Sequence, residues 1–253
     1  MLMLLPPSES KAAPEAGPTL SLADRPDELR ATTELVLDAL IDVCDSDPAR
    51  ARRLLKLSPG QADLVTLNAR LRQAPTAPAW KIYNGVLYDA LDFGSLTTRG
   101  RRRGRSDVLV ASGLFGLVGL SERIPAYRLS ASAGPLPGMA PLRELWSAPL
   151  TSYISRLAPS IILDLRSSAY VSLWPIPESL TKRTVTVKIW QGVPGGERTA
   201  VSHHNKAYKG RLLRSLLEAD RLPRSPTGLV AELDRAGWTV ALEGSRLDVI
   251  VEP

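Results

Sequence analysis

The chain has 253 residues, 44% of them hydrophobic, with two histidines, one cysteine and a formal net charge of +6 at pH 7. No apolar run approaches the ~20 residues of a membrane-spanning helix, and the opening MLMLL is too short and uncharged for a secretory signal, so we expect a soluble, cytoplasmic protein. The single cysteine excludes an internal disulfide, and the positive charge favours anionic partners such as nucleic acid, nucleotides or phosphorylated metabolites.

Three segments share one pattern, in which a short apolar run ends abruptly in polar residues: MLMLLPPSESK from residue 1, DVLVASGLFG from residue 107 and SIILDLRSSAY from residue 160. Such runs are typical of buried strands in a largely parallel sheet, and ligands usually bind outside the carboxyl ends of those strands. The pattern predicts a mixed α/β fold with a strand-end cleft. The polar residues expected to meet there are Ser8, Glu9, Lys11, Ser112, Gly113, Arg166, Ser167 and Tyr170.

Helical periodicity follows the first strand. Apolar residues recur every three or four positions from Glu28 to Cys44, which predicts a core-facing helix with Cys44 as a small buried hydrophobe. Pro48 suits the first turn of a second helix, LSPG forms a turn, and QADLVTLNARLRQ resumes the periodicity. We therefore expect a helix, a hairpin and a helix over residues 48–72.

A helix pair of this kind can grip DNA phosphates through backbone N–H groups, without reading the base sequence. The turn carries one glycine, where DNA-binding hairpins more typically carry two, so an ordinary corner between helices fits equally well. The residues expected at DNA phosphates are Lys56, Ser58 and Gly60.

The segment TTRGRRRGRS, residues 97–106, packs five arginines and two glycines just before a predicted strand. Its glycines predict a flexible basic loop. Such a loop provides phosphate contacts without base specificity, and a solvated, solubilising loop is the equal alternative. Its expected DNA contacts are Arg101, Arg102, Arg103 and Arg105.

The strand DVLVA delivers SGLFG and then PAYRL. Glycines after a strand allow a ligand to approach the backbone closely, and a following helix would direct its N-terminus at an anion. Arg128 offers a planar fork for a carboxylate or phosphate, and Tyr127 offers a hydroxyl. Structurally, Arg128 could instead pair with Glu122 or Glu144.

The C-terminal third adds more cations. TVTVKI alternates as a strand with Lys188 away from the core face, and SHHNKAYKGRLLR precedes an amphipathic helix. Cations at a helix start oppose its dipole, which predicts a compensating anion, either a ligand phosphate or Glu9, unless the turn is merely solvated. The expected phosphate contacts are Lys188, Lys206, Lys209 and Arg211. A final β-hairpin is predicted from WTVALEGSRLDVIV.

Two kinds of chemistry remain open for the cleft. Phosphate binding requires only cations, whereas Glu9, Lys11, Ser112 and Tyr127 add groups suited to proton transfer, and these are the catalytic candidates. A structural ion pair between Glu9 and Lys11 is the simpler explanation of those two residues. No metal site or cofactor is expected, because His203 and His204 are adjacent, point in different directions and have no partner Cys or His.

Five motifs, LLPPSESK, YNGVLY, ASGLFG with PAYRL, LDLRSSAY and HHNKAYKGRLLR, occur in the order and spacing of the YaaA-like proteins, also described as the peroxide stress or UPF0246 family. The chain resembles the branch whose first strand ends in PPSE rather than PAKT. It departs from the family in LVGLSERIPA, which lacks the usual Arg-Pro and Asp, and in the basic segment. The matching positions are Pro7, Ser8, Lys11, Ser112, Gly113, Gly116, Tyr127, Arg128, Ser167, Tyr170, Lys206, Lys209 and Gly210.

This resemblance implies a single domain over residues 1–253, a positively charged cleft, a helix-hairpin-helix element at about 48–72, and a role in limiting iron-driven damage during peroxide stress. It also implies binding of double-stranded DNA, and our first hypothesis is that the basic cleft binds its phosphates without sequence specificity. The alternative is an enzyme that acts on a nucleotide, nucleobase or phosphorylated small molecule in the same cleft. Either way we expect a monomer that does not contact membranes.

Overall fold

The computed structural model describes residues 1–192, 198–200 and 205–251, so His203 and His204 lie outside the described residues. The strands are β1 Leu2–Leu5, β2 Ala77–Pro78, β3 Val108–Ser112, β4 Gly116–Gly119, β5 Arg123–Ile124, β6 Ile162–Asp164, β7 Thr184–Gly192, β8 Arg198–Ala200, β9 Thr239–Glu243 and β10 Arg246–Val251. The helices are α1 Asp27–Ser46, α2 Pro48–Leu54, α3 Asp63–Ala69, α4 Ala79–Ile82, α5 Val86–Leu91, α6 Thr98–Asp107, α7 Leu142–Leu157, α8 Ser168–Leu173, α9 Glu178–Thr181, α10 Asn205–Glu218 and α11 Pro226–Arg235.

One mixed sheet organises these elements, in the order β4-β3-β1-β6-β7-β10-β9, with β8 paired to β7. Neighbours from β3 through β1, β6 and β7 to β10 are parallel, whereas β4 and β9 add antiparallel edges. The small pair β2 and β5 forms a separate antiparallel ribbon. The predicted mixed α/β fold is confirmed, and the final hairpin is present as β9 and β10.

The three polar-ended runs are neighbouring strands. All residues of β1, β3 and β6 are buried, as continuous Leu, Ile and Val runs predict. Leu4 pairs with Leu109 on one side and with Asp164 on the other, so the carboxyl ends of the three strands lie at one edge of the sheet. The segments that follow β1 and β6 therefore emerge side by side.

The long helices cover this sheet largely where periodicity predicts them. Helix α1 buries its apolar stripe, including Cys44 at 2% exposure, and α7 forms despite Pro149 in its interior. Helix α10 packs on α5 at Gly210, where an added Cβ would collide with the carbonyl oxygen of Leu87. No helix within the described ranges combines the length and apolar character needed to cross a bilayer.

The predicted flexible basic loop is wrong, because residues 98–107 form helix α6. Thr97 caps its start by accepting the Gly100 N–H at 3.1 Å, and arginine is a good helix former. Its two glycines are buried and allow close packing rather than flexibility. A Cβ at Gly104 would collide with the ring of Phe93.

The helix expected after SGLFG is also absent. Strand β3 turns directly into antiparallel β4, with Gly116 at φ +68°, a value that favours glycine. Ser112 Oγ stabilises this turn by accepting the N–H groups of Leu114 at 3.2 Å and Phe115 at 3.0 Å. Ser112 is fully buried and serves the turn instead of a helix N-terminus.

Candidate functional site

A cleft of about 500 Å³ opens at the carboxyl ends of β1 and β6. Its walls come from the loop after β1, the segment 128–132, the loop after β6 with the start of α8, and the first turns of α10. The lining residues that the sequence predicts as site residues are Ser8, Glu9, Lys11, Arg128, Arg166, Ser167, Tyr170, Lys206 and Lys209. This is the position at which open α/β sheets usually bind ligands.

Four other predicted ligand residues do not line the cleft. Ser112 and Gly113 are buried in the β3–β4 turn, where Gly113 packs against the Leu129 backbone. Lys188 lies on the exposed face of β7, its ammonium 4.0 Å from the centre of the Trp190 ring. Arg211 is exposed on α10 and stacks on Tyr208. Alternation along β7 and the turn of α10 direct these two side chains away from the cleft.

The loop after β1 is held by the YNGVLY motif. The Tyr88 hydroxyl donates to the Pro6 carbonyl oxygen at 2.8 Å, and the Asn84 N–H donates to Ser8 Oγ at 3.2 Å. Within this motif, Gly85 at φ +85° separates α4 from α5. The break allows residues 83–85 to run against the loop, and Lys11 forms an antiparallel bridge with Tyr83.

Lys11 lies between the loop after β1 and the rings of Tyr83 and Tyr127. Its Nζ donates to the Ser8 carbonyl oxygen at 3.0 Å and lies 4.3 Å from the centre of the Tyr127 ring. The predicted ion pair with Glu9 is not formed among the described residues, and the Glu9 side chain is exposed. Burial lowers the pKa of Lys11 to about 7, the nearby Arg128 charge lowers it too, and Glu9 opposes the change.

Lys11 packs on Tyr127, which belongs to a chain of buried, hydrogen-bonded hydroxyl groups. The Tyr127 hydroxyl lies 2.7 Å from Ser112 Oγ and 3.0 Å from the Tyr83 hydroxyl. Burial raises the pKa of Tyr127 to about 12 and that of Tyr83 well above its ordinary value. Both phenols are therefore neutral at physiological pH. Tyr127 contacts the Lys11 ammonium, and Ser112 holds the Tyr127 hydroxyl in place. Of the four catalytic candidates, only Glu9 and Lys11 line the cleft.

Arg128 is positioned by α3. The Asn68 side chain accepts the Arg128 N–H at 2.9 Å and donates to the Arg128 carbonyl oxygen at 2.7 Å. The guanidinium donates to the Glu9 carbonyl oxygen at 3.1 Å, while Glu122, one of its anticipated ion-pair partners, pairs with Arg25. Within the described ranges Arg128 Nε is buried without a hydrogen-bond partner. Arg128 thus retains a donor beside the cleft.

Arg166 forms part of the cleft floor but directs its guanidinium into the protein. It makes two parallel hydrogen bonds to Asp164, at 2.9 and 2.8 Å, and donates to the carbonyl oxygens of Tyr170 and Trp174. Both charged residues are at most 5% exposed. Arg166 therefore braces the loop after β6, and its guanidinium is committed to that contact.

The first turns of α10 complete the cleft. Lys206 is exposed, and Lys209 Nζ donates to the Leu165 carbonyl oxygen at 3.0 Å. Burial lowers the pKa of Lys209, with Asp164 opposing. Asn205 Oδ1 is buried and, over the ranges the structure describes, has no hydrogen-bond partner. Since Glu9 is the single carboxylate among the described lining residues, the cleft is suited to an anion.

A second cavity of about 350 Å³ adjoins this cleft, and the two share Glu9, Lys11 and Arg128. Its opposite wall is built by Gln61 and by residues 64 and 67 of α3. The predicted pair of helices is present as α2 and α3, which flank a turn capped by Ser58 and Gln61. Lys56, Ser58 and Gly60 are exposed on this turn. We call residues 48–69 the α2–α3 unit.

The arginines of α6 do not line either cavity. Arg103 donates to the carbonyl oxygens of Leu217, Ala219 and Asp220 at the end of α10. Arg101 donates to those of Gly94 and Leu96. The exposed arginines of this helix are Arg99, Arg102 and Arg105, of which Arg99 also contacts Glu218 and Asp220. Arg102 and Arg105 thus remain the α6 side chains best placed to meet an external phosphate.

Sequence reasoning missed two polar residues of this site. Asn68 clamps Arg128 across 60 residues of chain, and Asn205 opens α10 beside Lys206. The signal for Asn68 in the sequence is an asparagine among the apolar positions of α3, where the structure buries it. Within the described residues, no group of three His, Cys, Asp or Glu side chains is arranged to hold a metal ion.

Comparison with known proteins gives matches over nearly the whole chain. The family model described as "Peroxide stress protein YaaA" matches residues 1–241. A UPF0246 protein of Streptomyces coelicolor is 42% identical, covering 99% of this chain and 98% of its own. A UPF0246 protein of Corynebacterium efficiens is 34% identical over the same shares, and one of Corynebacterium glutamicum is 30% identical over 95% and 94%.

Proposed function

Because the chain belongs to the peroxide stress protein YaaA family, we propose that it binds double-stranded DNA without sequence specificity during the peroxide stress response. The phosphates would lie across the mouth of the cleft. One observation carries this proposal: the cleft and the adjoining cavity share a wall formed by Lys11 and Arg128, and the α2–α3 unit forms the opposite wall of that cavity. A polyanion that follows this wall would meet cations of the cleft and cations of the α2–α3 unit.

The size of the cleft sets how DNA would dock. Ligand pockets of roughly 300–1,000 Å³ hold one small molecule, and this cleft of about 500 Å³ falls within that range. A duplex would therefore lie over the opening and insert at most one group. Lys206 at the rim and Lys56 on the turn are exposed cations on the two sides of such a path.

The test is a salt-dependent anisotropy titration of a fluorescent duplex with the wild type, Lys206→Gln, Lys56→Gln and Lys182→Gln. Lys182 is an exposed lysine outside both cavities and the α2–α3 unit, and it serves as the matched control. Each lost phosphate contact should reduce the slope of log K against log salt by about 0.9. Lys206→Gln and Lys56→Gln should show this reduction, and Lys182→Gln should not.

Two results would contradict the proposal. One is no binding of duplex near physiological salt. The other is equal slopes for Lys206→Gln, Lys56→Gln and Lys182→Gln, because the contacts would then lie elsewhere. Sequence independence is tested with two duplexes of unrelated sequence, which should give dissociation constants within about threefold if phosphates supply the affinity.

A second candidate, an enzyme acting on a nucleotide, nucleobase or phosphorylated small molecule, is favoured by Lys11. Burial lowers its pKa to about 7, and such a lysine has a substantial neutral, nucleophilic fraction at physiological pH. Phosphate binding alone benefits from a fully charged ammonium. The position of Lys11 beside the adjoining cavity is therefore better suited to chemistry than to simple charge neutralisation.

A further inference from the structure

We propose that Lys11 forms an imine with the aldehyde of a ring-opened sugar phosphate bound in the cleft. An abasic site in DNA and a free pentose phosphate are the two sources of this chemistry. The inference rests on the proposed binding of phosphate-bearing ligands by the cleft. It assigns Lys11 a covalent step in place of an electrostatic contact.

The first argument is the placement of Nζ. Lys11 lines both the cleft and the adjoining cavity, so its side chain borders two spaces that a carbonyl compound can enter. Its hydrogen bond to the Ser8 carbonyl oxygen and the Tyr127 ring beneath it fix the amine in one orientation. A reactive lysine needs such a fixed approach, because a mobile surface amine offers no preferred geometry.

The second argument is protonation. An ammonium has no lone pair, so attack on a carbonyl requires the neutral amine. The groups that face Lys11 are Glu9, Arg128 and the two neutral phenols of Tyr83 and Tyr127. Burial and Arg128 outweigh Glu9 and lower the pKa of Lys11 to about 7, which leaves roughly half of the amine neutral at pH 7.

The third argument is the polar surroundings. In the part of the chain that the structure describes, Arg128 Nε and Asn205 Oδ1 are buried at the cleft without hydrogen-bond partners. Such atoms are costly unless a ligand satisfies them. Arg128 suits a phosphate oxygen and the asparagine oxygen suits a sugar hydroxyl, while Lys206 supplies a second cation at the rim.

The step balances without an oxidant or reductant. The Nζ lone pair attacks the aldehyde carbon, a C–N bond forms, and the C=O pair moves onto oxygen, which takes a proton to give a carbinolamine. Loss of that oxygen as water, with the second amine proton, gives the C=N bond. One amine and one aldehyde thus become one imine and one water, and hydrolysis reverses the step.

The experiment is reductive trapping of the full chain with sodium cyanoborohydride, in two arms. One arm uses 2-deoxyribose 5-phosphate, and the other uses a fluorescent duplex with a single abasic site. We expect a stable adduct, mapped by peptide mass spectrometry to Lys11 in the wild type. Lys11→Arg, which keeps a cationic side chain but removes the primary amine, should lose at least 90% of this adduct, while the control Lys182→Arg keeps the adduct. Deoxyribose without phosphate should trap at least tenfold more slowly.

Adducts spread over exposed lysines, an undiminished adduct in folded Lys11→Arg, or equal trapping of deoxyribose with and without phosphate would overturn the imine. Peptide mapping uses the wild type, so the test stands even where Lys11→Arg fails to fold. Anisotropy of the same duplex separates the two proposals. DNA binding without trapping in either arm would contradict the imine proposal alone. Trapping of the sugar phosphate without DNA binding would contradict the proposed DNA-binding function alone.

Discussion

Helix α6 and the strand-end cleft are both rich in cations, yet they use them in opposite ways. Helix α6 carries five arginines in seven residues, and Arg101 and Arg103 direct their donors to backbone carbonyl oxygens of neighbouring elements. The described lining of the cleft also holds five cations, drawn from distant parts of the chain, but there Arg128 keeps a donor without a partner among the described residues, and Lys206 is exposed. The density of positive charge along the sequence is therefore a poor guide to the binding surface.

What separates the two regions is whether each donor already has an acceptor. A guanidinium satisfied by protein oxygens contributes to stability and has little left for a ligand. The same distinction operates within the cleft, where Arg166 is satisfied by Asp164 and Arg128 is not fully satisfied. Substitutions of satisfied and available cations in matched pairs test this distinction.

The largest loss of unfolding free energy is expected for Arg166→Met. It leaves the Asp164 carboxylate, 4% exposed, without its guanidinium, and losing one partner of a buried ion pair costs about 3–5 kcal/mol of unfolding free energy. Urea denaturation followed by circular dichroism measures the change. The double variant Arg166→Met/Asp164→Asn removes the stranded charge and should recover at least half of the loss. A loss below about 1 kcal/mol in the single variant would mean that Arg166 is not committed to this pair.

A smaller effect is expected for Arg103→Met on α6. It removes the donor to three carbonyl oxygens at the end of α10, and we expect a loss of about 1–3 kcal/mol. Arg102→Met, one residue away and exposed, should change the unfolding free energy by less than about 0.5 kcal/mol. Thermal and urea unfolding of the two variants check this contrast. Equal losses would show that the position of α6, rather than satisfaction of its donors, decides the energetics.

Part of this structure was predictable from local pattern. Continuous apolar runs predicted β1, β3 and β6, and their polar ends predicted that Ser8, Lys11 and Ser167 would meet in a cleft. These features depend on strand burial and on the rule that parallel strands end at one edge, and both can be read from neighbouring residues. Helix α1 was predictable because its apolar periodicity can also be read from neighbouring residues.

The remainder depends on contacts between distant residues. The glycines of α6 favoured a loop in isolation, and only packing against Phe93 and Glu218 explains their place in a helix. The clamp of Asn68 on Arg128 joins residues 60 positions apart. Ser112 is the last residue of β3, a position typical of ligand-binding residues, but the turn that contains Gly116 buries it. Tertiary packing decided each of these cases, and local propensity does not report it.

The smallest expected effect concerns Lys11 and depends on pH. Its folded pKa of about 7 lies below the ordinary value of 10.5, so between these values the unfolded chain binds a proton that the folded chain does not. The unfolding free energy of the wild type therefore rises with pH across this window, relative to Lys11→Met. We expect the advantage in unfolding free energy of Lys11→Met over the wild type to fall by about 1 kcal/mol between pH 6 and pH 8, because only the wild type buries an ammonium at the lower pH.

That advantage should shrink as the pH approaches 10, where the folded wild type holds a neutral amine. Urea unfolding of both proteins at pH 6, 8 and 10 measures it, with Lys182→Met as the exposed control that should show no such trend. A constant difference across the three pH values would mean that Lys11 is fully charged in the folded protein, and the amine would then not be available for imine formation at neutral pH. A shrinking difference would mean that the cleft maintains a reactive lysine at a cost in stability, whereas the arginines of α6 add to stability.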